Sequence, residues 1–237
     1  MKIIELIAAK QKDLKNNYIP TIAFLGDSVT HGVFEIYPRP DGSFDPEFDR
    51  AEVYHNKVGR ILSMLYPSVA VNIVNAGING DYAPRAVRRV ERDVLVHKPD
   101  LTVVCLGLND AAEGIEKYRA SLVEIFQKLI AAGSEVIFMT PNMKNTVVHN
   151  RIDPALQGPA KDTMESQNNG EFDQFMDAAR SAAAECGVRV CDVYAKWKLM
   201  EQNGVDTTSL LSNYINHPTR EMHWLFAYSL VETMMQP

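Results

Sequence analysis

Short apolar runs and longer segments of helical spacing alternate along this chain. Residues 3–16 read as an amphipathic helix, and 21–26 as a strand ending in Gly-Asp-Ser. Residues 51–65 carry Val53, Val58, Ile61, Leu62 and Leu65 at helical spacing, and Pro67 closes that helix. A second strand is predicted over 69–74, ending at Asn75-Ala76-Gly77. A helix over 82–97 follows, with Arg85, Arg88, Arg89 and Arg92 on its wet side. Residues 101–106 are continuously apolar, the signature of a strand buried on both faces. Then come a helix over 115–132 stopped by Gly133, a strand over 135–139, a helix over 171–186 stopped by Gly187, a strand over 189–193 and a final helix over about 219–235. Two stretches, 33–50 and 142–169, are polar and show no period.

Strands that alternate with helices pair in parallel through helical crossovers. The pattern therefore predicts an α/β fold, a three-layer α/β/α sandwich around a five-stranded parallel sheet. Ligands bind such sheets beyond the carboxyl ends of the strands. Both unpatterned stretches follow strands, so they belong at that edge, and long loops in compact domains are commonly functional.

Composition narrows the classes. The chain has 237 residues, 46% hydrophobic and 23% charged, which suits one domain over 1–237. The net charge of −6 with no basic block argues against a nucleic-acid partner. No run approaches a membrane span, and the amino-terminal apolar stretch is too short and too charged for a signal peptide. Three cysteines, Cys105, Cys186 and Cys191, have no paired spacing. These features predict a cytoplasmic protein that does not engage a membrane.

The chemistry collects after the strands. The first delivers Asp27 and Ser28. The second delivers Asn75, Gly77, Asn79, Gly80 and Asp81. The third delivers Gly107, Asn109 and Asp110. Each set alone is what an ordinary strand-to-helix turn contains. Together, in a parallel sheet, they meet at one edge. Ser28 there offers a nucleophilic oxygen; its own N–H, the N–H of Gly80 and the Asn109 amide offer three oxyanion donors. Of six histidines, His55 and His97 fall in helices away from the strand ends, His31 begins a polar loop, and His223 packs on the last helix. His217 precedes Pro218 and Thr219 just before that helix, which places it at the same edge as a candidate general base.

Gly26-Asp27-Ser28-Val29-Thr30-His31-Gly32 resembles the first block of the SGNH hydrolases, also called GDSL esterases or lipase/acylhydrolases. Asn75-Ala76-Gly77-Ile78-Asn79-Gly80-Asp81 resembles the second, Gly107-Leu108-Asn109-Asp110 the third and His217-Pro218 the last. The resemblance spans residues 26–218 with the blocks in order. It implies a flavodoxin-like sandwich and a serine esterase with Ser28 and His217 catalytic, and with Ser28, Gly80 and Asn109 forming the oxyanion hole. It implies no metal and no organic cofactor. One position departs: the family's usual aspartate, three residues before the histidine, is Tyr214 here. Asn213, a main-chain carbonyl or a water is left to orient His217.

Polar and aromatic side chains in the two long loops, among them Tyr37, Arg39, Asn142, Lys144 and Gln167, point to a small-molecule or carbohydrate ester carrying a short acyl group such as acetyl. The alternatives are a short-chain carboxylesterase, lysophospholipase or thioesterase, and a non-catalytic binding module on the same fold. A flavodoxin-like cofactor protein is disfavoured, because no phosphate-binding loop follows the first strand.

Overall fold

The computed structural model describes residues 1–236. Its strands are β1 (Thr21–Gly26), β2 (Val33–Pro38), β3 (Phe44–Phe48), β4 (Asn72–Gly77), β5 (Leu101–Cys105), β6 (Glu135–Met139) and β7 (Arg189–Cys191). Five of them form one parallel sheet in the order β4-β1-β5-β6-β7. Counted along the sheet's own strands, this is the 2-1-3-4-5 order of doubly wound flavodoxin-like folds, with the topological switch between β1 and β5. β1 and β5 are almost wholly buried, as expected of parallel strands covered on both faces. The register aligns Gly26 with Gly77 on one side and with Cys105 on the other. The carboxyl ends of all three strands therefore lie level.

The helices are α1 (Lys2–Lys12), α2 (Ser28–His31), α3 (Tyr54–Leu65), α4 (Ala83–Val87), α5 (Val90–Asp93), α6 (Ile115–Ala131), α7 (Gln157–Asn168), α8 (Glu171–Glu185), α9 (Val193–Gln202) and α10 (His223–Met235). α3 and α10 pack together, as do α6 and α8. The core between helices and sheet includes Phe24, Val103, Phe126, Phe138, Phe226 and Trp197, all completely buried. None of the described helices is long and apolar enough to cross a membrane.

Several segments differ from the pattern reading, each for a physical reason. The 33–50 stretch is an antiparallel hairpin of β2 and β3, closed by a turn in which Arg39 donates to Ser43 at 2.8 Å. Most of β3 is exposed and it contains Pro46, so it lacks the alternation of a half-buried strand. The second strand of the parallel sheet begins at Asn72 and includes Asn75-Ala76-Gly77. It is an edge strand with Asn72 and Asn75 in solvent, which breaks its apolar run. The 82–97 segment is two short helices and a 3-10 turn, broken at Arg89, which is buried and not on the wet side. The 142–169 stretch contains α7. That helix buries only Ala160 and Gln167, so its periodicity is faint. The last strand stops at Cys191, where Asp192 caps α9 by accepting from the Ala195 N–H at 3.0 Å. The final helix begins at His223, after a turn.

Candidate active site

Ser28 stands at the first position of α2, a single turn that leaves the end of β1. Asp27 caps it, its Oδ1 accepting from the Val29 N–H at 3.0 Å, and Gly32 ends it in left-handed backbone at φ 101°. This turn lies hard against the sheet. A Cβ on Gly26 would stand 2.0 Å from Thr30 Oγ1, and one on Gly77 would stand 2.3 Å from the His31 backbone nitrogen. Both glycines are needed for α2 to sit where it does.

His217 comes from the loop that precedes α10. Leu211 and Pro218 bridge its base, and Ser212 N–H donates to the His217 carbonyl at 2.7 Å. Asn213 Oδ1 accepts from the backbone N–H groups of Ile215, Asn216 and His217 at 3.0, 3.0 and 2.9 Å. Asn213 thus shapes the loop; it is not the group facing the imidazole. That group is the main-chain carbonyl of Phe34 on β2, 3.1 Å from His217 Nδ1. A carbonyl can only accept, so the ring proton sits on Nδ1 and the Nε2 lone pair is free. Nε2 lies 2.9 Å from Ser28 Oγ, which donates to it. Both residues are buried, Ser28 3% and His217 2% exposed. Burial pushes the His217 pKa down to about 4, against the opposing pull of the Phe34 carbonyl and the Glu35 charge. The imidazole is neutral at pH 7, the form a base requires.

The loop between β4 and α4 is pinned on both sides of Ser28. Ile78 N–H donates to the Gly26 carbonyl at 3.1 Å, and Asn79 N–H donates to His31 Nδ1 at 3.1 Å. His31 therefore does more than begin a loop. Gly80 follows with φ 71°; a Cβ there meets nothing within 4 Å, so the backbone conformation alone selects glycine. Asn109, after β5, donates one amide N–H to the Asp81 carbonyl at 2.9 Å, which ties the third block to the second.

Below these loops lies a buried ionic group. Arg89 Nε donates to Asp81 Oδ2 at 2.6 Å, Nη1 to the Ala76 carbonyl at 2.7 Å and Nη2 to the Gly26 carbonyl at 3.0 Å. One guanidinium thus closes the ends of β1 and β4. Among the described residues no cation bonds Asp27 or Asp110; burial, with neighbouring carboxylates adding to it, raises each to about 7, against a smaller opposing pull of Lys144 on Asp110. Asp110 Oδ1 accepts from the Ala83 N–H at 2.8 Å and so starts α4. Among the described residues, no group of three or more His, Cys, Asp or Glu side chains is arranged to hold a metal ion.

Two clefts adjoin the loops that carry Gly80 and His217. One, of about 320 Å³, has Ile36, Phe44, Leu156, Pro159 and Ile215 as apolar wall, with Asn79 and Asn216 beside the site. The other, of about 300 Å³, adds Tyr37, Arg151, Asp153, Ser212 and Tyr214. They meet at Ile36, Leu156 and Asn213. Of the loop side chains named from sequence, Tyr37 faces a cleft. Asn142, Lys144 and Gln167 are buried and tie the 142–169 segment down. Asn142 donates to the Asn216 carbonyl at 2.8 Å, and Gln167 accepts from the Lys144 N–H at 2.9 Å. His55 and His223 are buried, and His223 Nδ1 accepts from the Tyr54 N–H at 3.0 Å. Pattern reading missed Phe34, because a backbone acceptor has no side-chain signature, and it missed Arg89, which stands among the exposed Arg85, Arg88 and Arg92.

A buried serine and a neutral histidine, joined at the switch point of a 2-1-3-4-5 sheet, define a hydrolase-like α/β/α sandwich. The chain belongs to the GDSL-like lipase/acylhydrolase family, whose model matches residues 24–225. An acetylxylan esterase of Geobacillus stearothermophilus is 27% identical over 132 residues, which cover 51% of this chain and 58% of that protein. The chain thus matches less than two thirds of that relative's length. Among solved structures, a lipase/acylhydrolase from Enterococcus faecalis superposes with a TM-score of 0.68 at 21% identity, covering 91% of this chain and 95% of that one. The acetylxylan esterase Axe2 of Geobacillus stearothermophilus superposes with a TM-score of 0.67 at 19% identity, covering 92% and 95%. Likeness at that identity establishes the fold.

Proposed function

We propose that this protein is a serine esterase that removes a short acyl group, such as acetyl, from a carbohydrate or other polar alcohol. Ser28 Oγ attacks the ester carbonyl while His217 Nε2 takes its proton. The carbonyl electron pair moves to oxygen, and the N–H groups of Ser28 and Gly80 with the Asn109 amide receive the oxyanion. The pair then returns, the C–O bond to the alcohol breaks, and the alcohol leaves with the proton from His217. Water attacks the acyl-Ser28 ester by the same steps and releases the acid.

One observation carries this reading: His217 Nδ1 lies 3.1 Å from the Phe34 carbonyl while Nε2 lies 2.9 Å from Ser28 Oγ, the placement in which Nε2 can take the serine proton. Family membership and the acetylxylan esterase relatives support the substrate class. The cleft carrying Tyr37, Tyr214, Arg151 and Asp153 offers the aromatic and hydrogen-bonding groups a sugar uses. The test is hydrolysis of p-nitrophenyl acetate by the protein and by Ser28→Ala at neutral pH. Loss in the variant is expected. Equal rates in both would remove Ser28 from the mechanism, and silence of both proteins toward acetylated sugars as well would leave a binding module.

A second reading has its own support. The cleft walled by Ile36, Phe44, Leu156, Pro159 and Ile215 is apolar and larger than an acetyl group needs. A short-chain carboxylesterase would use it for the acyl chain. A series of p-nitrophenyl esters decides: a steep fall beyond acetate supports the deacetylase, and a maximum at butyrate or hexanoate supports the carboxylesterase.

A further inference from the structure

We infer that Glu35, clamped by Arg220, is a positioning residue that supplies through the Phe34 peptide the counter-charge His217 lacks for want of an adjacent acid, an inference that rests on the proposed Ser28–His217 pair. The place where the family resemblance expects that acid is held by Tyr214. Its backbone is left-handed at φ 55°, and its ring stacks on His149 with centroids 4.1 Å apart, so it is engaged elsewhere. The imidazole is left with a peptide carbonyl, which carries only a partial charge. A full charge stands one residue away.

Glu35 follows Phe34 on β2 and receives the guanidinium fork of Arg220, with Nη1 at 2.7 Å from Oε1 and Nη2 at 3.1 Å from Oε2. Arg220 Nε donates to Asp49 Oδ2 at 2.7 Å, and its guanidinium carbon lies 4.4 Å from the Phe34 ring centroid. Bidentate pairing fixes direction as well as distance. Arg220 lies three residues after His217 on the same segment. The cluster therefore joins the strand that bears the acceptor carbonyl to the loop that bears the imidazole. Ser212 Oγ completes the grip by donating to the Phe34 carbonyl at 2.8 Å.

The charges also have the right sum. Glu35 and Asp49 against Arg220 leave the cluster with one net negative charge, and the ring becomes positive as Ser28 attacks. Of the other groups near His217, Ser28 and the buried His223 bring no charge at neutral pH. Burial holds His223 well below the usual histidine range. Glu35 is the charge that favours the protonated form of His217. Its side chain is about one quarter exposed, so the effect is screened and moderate.

The experiment pairs kinetics with a readout that needs no turnover. Glu35→Gln keeps one acceptor for Arg220 and removes the charge. Its kcat is expected to fall about three- to tenfold with KM changed less than twofold, and the acid limb of kcat/KM is expected to move to lower pH. In a Ser28→Ala background, ¹⁵N NMR of His217 should show the same downward displacement on adding Glu35→Gln. A purely structural role would lower the melting temperature and kcat without moving that titration. An unmoved titration overturns the inference. Should Ser28→Ala itself retain turnover, the esterase reading fails, while the NMR titration still decides the part played by Glu35. Should Glu35→Gln not fold, Asp49→Asn removes one charge from the same cluster and is expected to move the titration the same way by less; no movement there overturns the inference equally.

Discussion

Arg89 and Asp81 form an ion pair sealed under the loops of the candidate active site, with Nε 2.6 Å from Oδ2 and the two side chains 5% and 0% exposed. The remaining guanidinium donors hold the Gly26 and Ala76 carbonyls, so the pair also fixes the strand ends that carry Ser28 and the Gly80 loop. Breaking a buried pair from one side leaves an uncompensated charge, at a typical cost of about 3–5 kcal/mol. Arg89→Met is expected to lose that much stability in urea unfolding. Arg89→Lys, which cannot fork to three acceptors, is expected to recover only part of it. A loss below about 1 kcal/mol in Arg89→Met would contradict this account.

Gly77 makes a different kind of contribution, since its missing Cβ is what admits α2. An added methyl would overlap the backbone of Thr30 and His31, which cannot rotate away as a side chain could. Gly77→Ala is therefore expected to displace the Ser28 turn, lowering kcat by at least tenfold and stability by about 1–3 kcal/mol. Gly80→Ala is the informative comparison. Its methyl meets open space, and only the φ of 71° is strained, at about 1–2 kcal/mol. Thermal melts and steady-state kinetics of the two variants side by side measure both effects.

Asn109 has one amide N–H committed to the Asp81 carbonyl, and in the proposed mechanism its other N–H receives the oxyanion. Removing one oxyanion donor typically costs about 10²–10³ in kcat. Asn109→Ala is expected to fall in that range with KM little changed. A kcat within threefold of the parent would take Asn109 out of the oxyanion hole.

The pH dependence of turnover follows from the burial of His217. In the proposed mechanism His217 acts as base in its neutral form, and burial holds its pKa near 4. The active form is therefore populated above that value, and kcat/KM is expected to rise through an acid limb near pH 4 and stay level through pH 7. A limb near 6.5, the ordinary histidine value, would mean that water reaches the ring. A pH–rate profile with p-nitrophenyl acetate, corrected for loss of folded protein in acid, distinguishes the two.

Much of this site is legible in the sequence because three of its parts follow strands. A strand that ends fixes where its next residues lie, and Ser28, Gly80 and Asn109 come after β1, β4 and β5 in a sheet that the alternation of elements makes parallel. His217 is legible for a related reason: Pro218 and the coming helix anchor its loop. What holds His217 is another matter. Phe34 acts through its carbonyl, and it belongs to a hairpin whose exposed strand has no apolar rhythm. Arg89 shows the opposite failure. Among Arg85, Arg88 and Arg92 it reads as one more solvated charge, and only the break between α4 and α5 turns it inward.

Asp27 carries the last prediction, because its carboxyl is completely buried with Oδ2 unpartnered among the described residues. Burial raises its pKa from 3.8 to about 7 in the folded protein. Below pH 3.8 the carboxyl is neutral in both states and costs nothing electrostatically. Between 3.8 and 7 the unfolded chain ionises while the native protein does not, so stability falls as pH rises. Above 7 both forms are ionised and the loss is constant. Each pKa unit corresponds to about 1.4 kcal/mol, which puts the full loss near 4 kcal/mol. Asp27→Asn keeps an oxygen for the Val29 N–H and has no charge to bury. Its stability relative to the parent is expected to increase steadily from pH 4 to pH 7 and then level off, whatever constant offset the amide brings. The histidines His55 and His217 lose stability as pH falls over the same range, but they are common to both proteins and cancel in the difference. Urea unfolding of the pair at pH 4, 5.5, 7 and 8 tests this; a difference that does not vary with pH would mean that Asp27 titrates at its ordinary value in the folded protein.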